Sequence, residues 1–362
     1  METNLPETGA AVRKPARMEW LDAMRGFTMI LVVANHVSTI GFGENIKTSA
    51  ALSFFVLFRM PLFFFISGFL AYKSSFLWTG RSLSEMLWKK FRIQVFPTVL
   101  FLLVALALLA PDFGAGMMYA LKSPTKYGYW FTWVLLQMFA LYYVFSYLEA
   151  RLSPRRRVWP VAMLWAVSLA VYATLYMPAW FSYHKAPFFQ YSSLGQTMMY
   201  FHFFLFGNIV RRYWGRAQRL MDSGWFLPVV LAVALFCVMD TLKWHTLRLQ
   251  WANLPRTASM YLLLTLVIMY FRHYGEAFTG RTRLGRGLQY IGVRTLDIYL
   301  IHYLFIPHVG AVGAFFNNHR GNFVFDTLVS VGAALLVIGF CLVTSNLLRI
   351  SPWLRLHLFG RK

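Results

Sequence analysis

The stretch MRGFTMILVVANHV, residues 24–37, places an arginine and a histidine in an otherwise apolar segment. Ten residues separate Arg25 from His36, and none of the ten is ionisable. On an α-helix this spacing corresponds to about 1100° of rotation, so both side chains lie on one face, about 16 Å apart along the axis. Asp22 lies three residues before Arg25 and is placed to pair with it. The stretch therefore predicts a membrane helix that carries a line of polar groups.

The composition of the whole chain is that of a membrane protein. Of its 362 residues, 58% are hydrophobic and 13% are charged, whereas soluble domains carry about 25% charged residues. Apolar blocks long enough to cross a hydrocarbon core of about 30 Å occur ten times. They lie near residues 20–40, 50–72, 92–110, 128–148, 158–177, 194–211, 225–241, 255–271, 288–307 and 324–348. We expect an all-α integral membrane protein with about ten transmembrane helices.

The basic residues are concentrated on one side of this map. Six alternate segments hold 24 of the 35 Lys and Arg residues, and the five opposite loops hold eight. The remaining three, Arg25, Arg59 and Arg294, lie within spans or at their edges. The positive-inside rule then places both termini in the cytoplasm. Because topology accounts for the net charge of +22, we expect the lipid bilayer as a partner and no nucleic acid.

One membrane domain accounts for nearly the whole chain. We interpret residues 1–16 as a disordered cytoplasmic leader, 17–350 as the ten-helix domain and 351–362 as a short basic cytoplasmic tail. The histidines outside the spans have no metal-ligand spacing, and the two cysteines show no paired spacing, so we expect no metal site.

Three ionisable side chains inside the spans are candidates for function, namely Arg25, His36 and Arg59. An imidazole at His36 must find polar partners in a cavity or on a neighbouring helix. Arg59 lies in the second span, where a charge costs about 2.5–3.5 kcal/mol unless it faces a cavity or a partner. We interpret Arg59 as lining the same polar cavity as His36. The alternative is that Asp22 and Arg25 form an interfacial ion pair and that His36 is a satisfied core residue.

Five segments, in this order, resemble acyltransferase family 3. These are bacterial membrane proteins of about ten spans that acylate sugars and other envelope components. The matching segments are EWLDAMRG with the Arg25-x10-His36 spacing, FRMPLFFFISGFLAY at 58–72, WKKFRIQVFP at 88–97, GYWFTWVLLQMFALYY at 128–143 and IGVRTLDIYLIHYLF at 291–305. Two features depart from the family pattern. Lys89 stands where arginine is common, and Arg294 and Asp297 form a charged pair where neutral residues are common. This pair either neutralises itself or marks acceptor specificity.

The resemblance implies an O-acyltransferase of the bacterial cytoplasmic (inner) membrane. The simplest version transfers acetyl from acetyl-CoA, used as a co-substrate without a permanently bound cofactor, to an envelope polysaccharide or a lipid-linked sugar. Histidine is the usual general base because its pKa lies near operating pH, so we assign that role to His36, assisted by Arg25 and Asp22. Donor-binding residues are Arg25, Lys89, Lys90 and Arg92, and residues of the substrate cavity are Arg59, Ser67, Trp130, Tyr299 and His302.

Other functions are compatible with the sequence. The same mechanism serves succinyl or another acyl group, and a covalent acyl-histidine is a possible intermediate. A transporter or channel could use Arg25, His36 and Arg59 as a polar pathway. Transporters often carry two matching halves with interrupted helices, and no such correspondence is evident in the sequence.

Overall fold

The computed structural model describes residues 17–45, 49–74, 76–152, 158–176, 186–242, 254–318 and 323–359. These residues are mainly helical and contain no strand. The predicted leader, residues 1–16, lies outside the described residues, as do the last three residues of the predicted tail. An all-α membrane protein is therefore confirmed.

The described part of the chain forms eighteen α-helices, several of which continue into π-helical or 3₁₀ turns. They are α1 Glu19–His36, α2 Ala50–Phe55, α3 Arg59–Ala71, α4 Gly80–Lys90, α5 Phe96–Leu109, α6 Phe113–Lys122, α7 Trp130–Leu152, α8 Val158–Val171, α9 Pro187–Ser192, α10 Leu194–Arg212, α11 Trp214–Met221, α12 Phe226–Thr241, α13 Leu254–His273, α14 Arg283–Val293, α15 Thr295–Ile301, α16 Gly310–Asn318, α17 Phe323–Leu348 and α18 Pro352–Phe359.

Six helical segments of the described chain are long and apolar enough to cross a membrane. They are Glu19–Gly41, Ala50–Ala71, Gly80–Leu109, Trp130–Leu152, Leu254–His273 and Phe323–Leu348. A seventh is α12 if it is counted with α11, against which it is bent by 82°. The other predicted spans are also helical, but α8 is shorter, α10 is more polar, and the segment 288–307 breaks at Arg294 between α14 and α15. The count of ten spans and the cytoplasmic termini stay predictions.

Two helix pairs are packed with their backbones in contact, and glycine makes this possible. On α14, a Cβ at Gly292 would overlap the carbonyl oxygen of Asp22 on α1. On α3, a Cβ at Gly68 would overlap the carbonyl oxygen of Phe204 on α10. Small residues at helix contacts let backbones approach in this way in membrane proteins. The α1–α14 contact matters most for function, because it fixes α1 beside α15.

A buried ion pair joins α7 to α10. Arg212 donates from both terminal nitrogens to the two carboxylate oxygens of Glu149, each at 2.8 Å, and from Nε to Oδ1 of Asn208, also at 2.8 Å. Both charged side chains are almost fully buried. Removing one partner would leave the other charge buried and unpaired, which costs about 3–5 kcal/mol.

We predict that Gly292→Ala destabilises the protein by about 1–3 kcal/mol, because the new methyl group forces α14 away from α1. Gly287→Ala is the matched control on the same helix, since a Cβ there meets no atom within 4 Å. The measurement is the midpoint of thermal unfolding in detergent. Equal midpoints for the two variants would contradict the backbone contact.

Candidate active site

His36 and His302 form a hydrogen-bonded pair between the end of α1 and the end of α15. The distance from His36 Nδ1 to His302 Nε2 is 2.8 Å, and the planes of the two rings are nearly parallel, with an interplanar angle of 12°. His302 is completely buried. The sequence predicted both residues for the site, His36 as the base and His302 in the substrate cavity, and the structure brings them into direct contact.

The other contacts of His302 determine where the protons lie. Nδ1 of His302 is 2.8 Å from the carbonyl oxygen of Tyr299 and 3.1 Å from that of Ile298. Carbonyl oxygens only accept, so Nδ1 carries a proton and donates to them. Burial favours the neutral imidazole, whose Nε2 then accepts from Nδ1 of His36. His36 is left with an unprotonated Nε2, which is the atom that a general base needs.

Arg59 lies next to this pair. Its guanidinium is near enough to His36, Tyr200 and Tyr303 for electrostatic interaction. The Nη1 atom of Arg59 is buried and has no hydrogen-bond partner among the described residues. A buried, unpaired N–H group beside a basic nitrogen is an arrangement that can bind an oxygen carrying negative charge.

A cavity of about 450 Å³ lies in the same helix bundle. Six predicted site residues line it, namely Arg25, Ser67, Lys89, Lys90, Trp130 and Tyr299. Arg25, Met29 and Val32 form its wall on α1, at positions i, i+4 and i+7, and His36 is the next residue of that row. Thr295 and Tyr299 form its wall on α15, and His302 follows one turn later. The two rows therefore point towards the histidine pair, although His36, His302 and Arg59 are not themselves among the residues that line the cavity.

One end of the cavity is basic. Lys73, Lys89, Lys90 and Arg25 line it together, and Lys90 interacts electrostatically with the other three. The Lys90 ammonium also lies 3.6 Å from the centre of the Phe139 ring. Burial and the neighbouring Lys89 lower the pKa of Lys73. Four cations at one end of a partly apolar cavity are suited to an anionic ligand with an apolar portion.

Arg25 is positioned by both α1 and α15. Its Nη1 lies 3.6 Å from Oδ1 of Asp22, and its Nη2 donates to Oγ1 of Thr295 at 3.1 Å. Asp22 also accepts from Nε of Arg17 at 2.6 Å. The pairing of Asp22 with Arg25 expected from their spacing is present. Asp22 is fourteen residues from His36 on one helix, about 21 Å along the axis, so it acts on Arg25 and not on the imidazole.

The predicted cavity residues differ in what their side chains contact. Ser67 donates to the carbonyl oxygen of Phe63 at 2.9 Å, and the indole of Trp130 stacks on Tyr200. The hydroxyl of Tyr299 donates to the carbonyl oxygen of Gly128 at 3.0 Å and accepts from the backbone N–H of Phe131 at 3.1 Å. Tyr299 therefore joins α15 to the start of α7 and has a structural role in addition to lining the cavity.

Two other expectations look different in the structure. Arg92 is exposed and is not among the residues that line the cavity. Arg294 and Asp297 do not neutralise each other: Asp297 accepts from Nη2 of Arg349 at 2.6 Å, and Arg294 donates to Asn346. Each residue of this charged pair therefore has its partner on α17 or directly after it.

Sequence reasoning missed three residues of the site. Thr295 and Tyr303 belong to the motif at 291–305, but no rule for a single helix shows that one holds Arg25 and the other packs on His36, with ring centroids 5.2 Å apart. Lys73 was counted only as a charge that sets topology. Lys73 directly follows the family motif SGFLAY, and this position is the one feature of the sequence that indicates a place near the site.

Fold and site together define an all-α membrane protein in which a cavity with a basic end leads towards a histidine pair, of which His302 is fully buried. Residues 18–345 match the family described as acyltransferase domain, which is nearly the whole chain. The chain therefore belongs to acyltransferase family 3, the family that its motifs resemble, and a membrane acyltransferase is the class of activity that this membership supports. Comparison with curated proteins and with solved structures finds no match.

We predict that Tyr299→Phe lowers the free energy of unfolding by about 1–3 kcal/mol, because it leaves the backbone N–H of Phe131 without its partner, whereas the carbonyl oxygen of Gly128 keeps the hydroxyl of Tyr303. Tyr270→Phe serves as the control, since Tyr270 is 55% exposed. Thermal unfolding of the purified variants measures the difference. A Tyr299→Phe protein as stable as the control would show that the hydrogen bond from Phe131 to Tyr299 is not formed.

Proposed function

We propose that the protein is a membrane-bound O-acyltransferase that moves an acyl group, most simply acetyl, from acyl-CoA to a hydroxyl of an envelope polysaccharide or lipid-linked sugar. The observation that carries this proposal is the cavity whose basic end lies at Arg25 and whose walls point towards the His36–His302 pair. Family membership supports acyl transfer over the transporter alternative.

The basic end of the cavity suits the donor. Coenzyme A carries its phosphates at one end and its thioester at the other, joined by the extended pantetheine arm. Lys73, Lys89 and Lys90 offer three ammonium groups to the phosphates, and Arg25 adds a guanidinium beside Thr295. The row Met29–Val32 then gives the arm an apolar wall. His36 lies eleven positions after Arg25 on the helix, about 16 Å along the axis, a distance of the order that the extended arm bridges.

The histidine pair suits the chemical step. Nε2 of His36 takes the proton of the acceptor hydroxyl as its oxygen attacks the thioester carbonyl. The carbonyl oxygen gains negative charge in this step, and the unpaired Nη1 of Arg59 stabilises that charge. When the tetrahedral intermediate collapses, the C–S bond breaks and the thiolate takes the proton from His36. His302 orients His36 throughout by accepting from its Nδ1, so His302 is a positioning residue.

The charge distribution supports a cytoplasmic donor. Under the positive-inside rule the Arg25 end of α1 faces the cytoplasm, where acyl-CoA is made. The predicted location is the bacterial cytoplasmic membrane, with both termini inside. Under this proposal, the acceptor hydroxyl reaches the thioester at the His36 end of the cavity.

We predict that His36→Ala lowers acyl transfer by about 10²–10⁴-fold, the usual contribution of a general base. His302→Ala lowers kcat by a smaller factor than His36→Ala, with little change in KM for acyl-CoA, because it removes only the group that orients the base. Release of coenzyme A from radiolabelled acetyl-CoA, by protein in nanodiscs with acceptor present, measures both effects.

His308→Ala is the control for these variants, because His308 is exposed in a loop. A His36→Ala protein with wild-type turnover would remove His36 from the mechanism. If the wild type consumes neither acetyl-CoA nor a longer acyl-CoA, the proposal that acyl-CoA is the donor is wrong.

We predict that Lys90→Ala raises KM for acyl-CoA about tenfold and leaves kcat within a factor of about three, because it removes one charge from the basic end. The matched control is Arg81→Ala, on the same helix, whose guanidinium is exposed and pairs with Glu85. Steady-state kinetics over a range of donor concentrations separates the two constants. An unchanged KM for Lys90→Ala would place the phosphates elsewhere.

A further inference from the structure

A second buried polar cluster lies at the end of α1 opposite Arg25, where α1 meets α17. Ser49 donates to Oδ2 of Asp326 at 2.6 Å, and Ser330 donates to Oδ1 of the same carboxylate at 3.2 Å. The hydroxyls of Ser38 and Ser330 are 2.7 Å apart. These side chains, and that of Glu44, are all at least nine-tenths buried. None of them takes part in the proposed acyl transfer.

A small cavity of about 20 Å³ opens into this cluster. The polar residues that line it are Asn35, Ser38, Asp326, Thr327 and Ser330, and the rest of the wall is apolar. A cavity of this size holds one particle the size of a water molecule. Asn35 is only 8% exposed, and its Oδ1 has no hydrogen-bond partner in the described part of the chain. A buried acceptor without a donor is a position where a bound water molecule or cation would find a partner.

Among the residues that the structure describes, no basic side chain balances the charge of the cluster. Within the described residues, no Lys or Arg forms an ion pair with Asp326 or Glu44. Burial and the neighbouring Asp326 raise the pKa of Glu44 to about 7, which limits the negative charge of the pair near neutral pH without removing it. A buried carboxylate normally has a cationic partner.

We propose that a sodium ion binds in the cavity between Asn35, Ser38, Asp326 and Ser330. All four side chains offer oxygen, which is the ligand that hard cations prefer. Calcium takes six to eight oxygen ligands and magnesium keeps several waters, so four such ligands around a one-particle cavity suit a small monovalent ion better. The ion supplies the missing positive charge and a partner for Asn35. It also ties α1, at the residue before His36, to α17.

The test compares thermal unfolding of the full-length protein in sodium, potassium and choline chloride at constant ionic strength. A ligand that binds only the folded state raises the unfolding midpoint by mass action. We expect sodium to give a saturable rise of at least about 3 °C over choline, with potassium weaker. Equal midpoints in the three salts would overturn the proposal and leave a water molecule as the occupant.

Three variants locate the ion, and one serves as a control. Asp326→Asn should abolish the sodium-dependent rise, and Ser330→Ala and Asn35→Leu should each raise the half-saturating sodium concentration about tenfold. Ser345→Ala is the matched control on α17, because its hydroxyl donates to Asp297 at the other end of the helix. It should retain the wild-type sodium response. If Asp326→Asn does not fold, wild-type sodium responses in Ser330→Ala and Asn35→Leu would still exclude this cavity.

Discussion

The proposed chemistry depends on one constraint: an imidazole inside a membrane bundle must find its hydrogen-bond partners in protein. His36 meets this constraint through Nε2 of His302, and His302 meets it through backbone carbonyls of its own helix. This chain of contacts leaves one nitrogen of His36 unprotonated. Gly292 supports it by letting α14, which precedes α15, touch α1 along their backbones. The glycine contact and the base are therefore parts of one arrangement.

The cavity separates recognition from chemistry along a single helix. Arg25 stands at its basic end, held by Asp22 and Thr295, and His36 follows three turns later on the same face. Charge is concentrated where a phosphate would bind, whereas the region around His36 and Arg59 is buried and largely aromatic. Water is costly to retain in such surroundings, and fixed dipoles act more strongly there. A donor that is anionic at one end and reactive at the other matches this division.

The sequence predicted those features that depend on positions within one helix. The spacing from Arg25 to His36 and the pairing of Asp22 with Arg25 follow from helical geometry alone, and the motif order indicated the family. Contacts between distant segments did not follow. The contacts of Asp297 with Arg349 and of Arg294 with Asn346 join residues about 50 positions apart. The hydrogen bond from Arg25 to Thr295 joins residues about 270 positions apart. Such pairs are set by how helices pack, which periodicity does not report.

The most direct measurement is a structure of the protein with a non-hydrolysable acyl-CoA analogue bound in nanodiscs. The proposed function predicts the phosphates among Lys73, Lys89 and Lys90, the arm along α1, and the acyl carbonyl beside Arg59. An acceptor oxygen should then fit about 3 Å from Nε2 of His36. An analogue bound with its acyl group away from the histidine pair would contradict the central claim that this cavity delivers the acyl donor to His36.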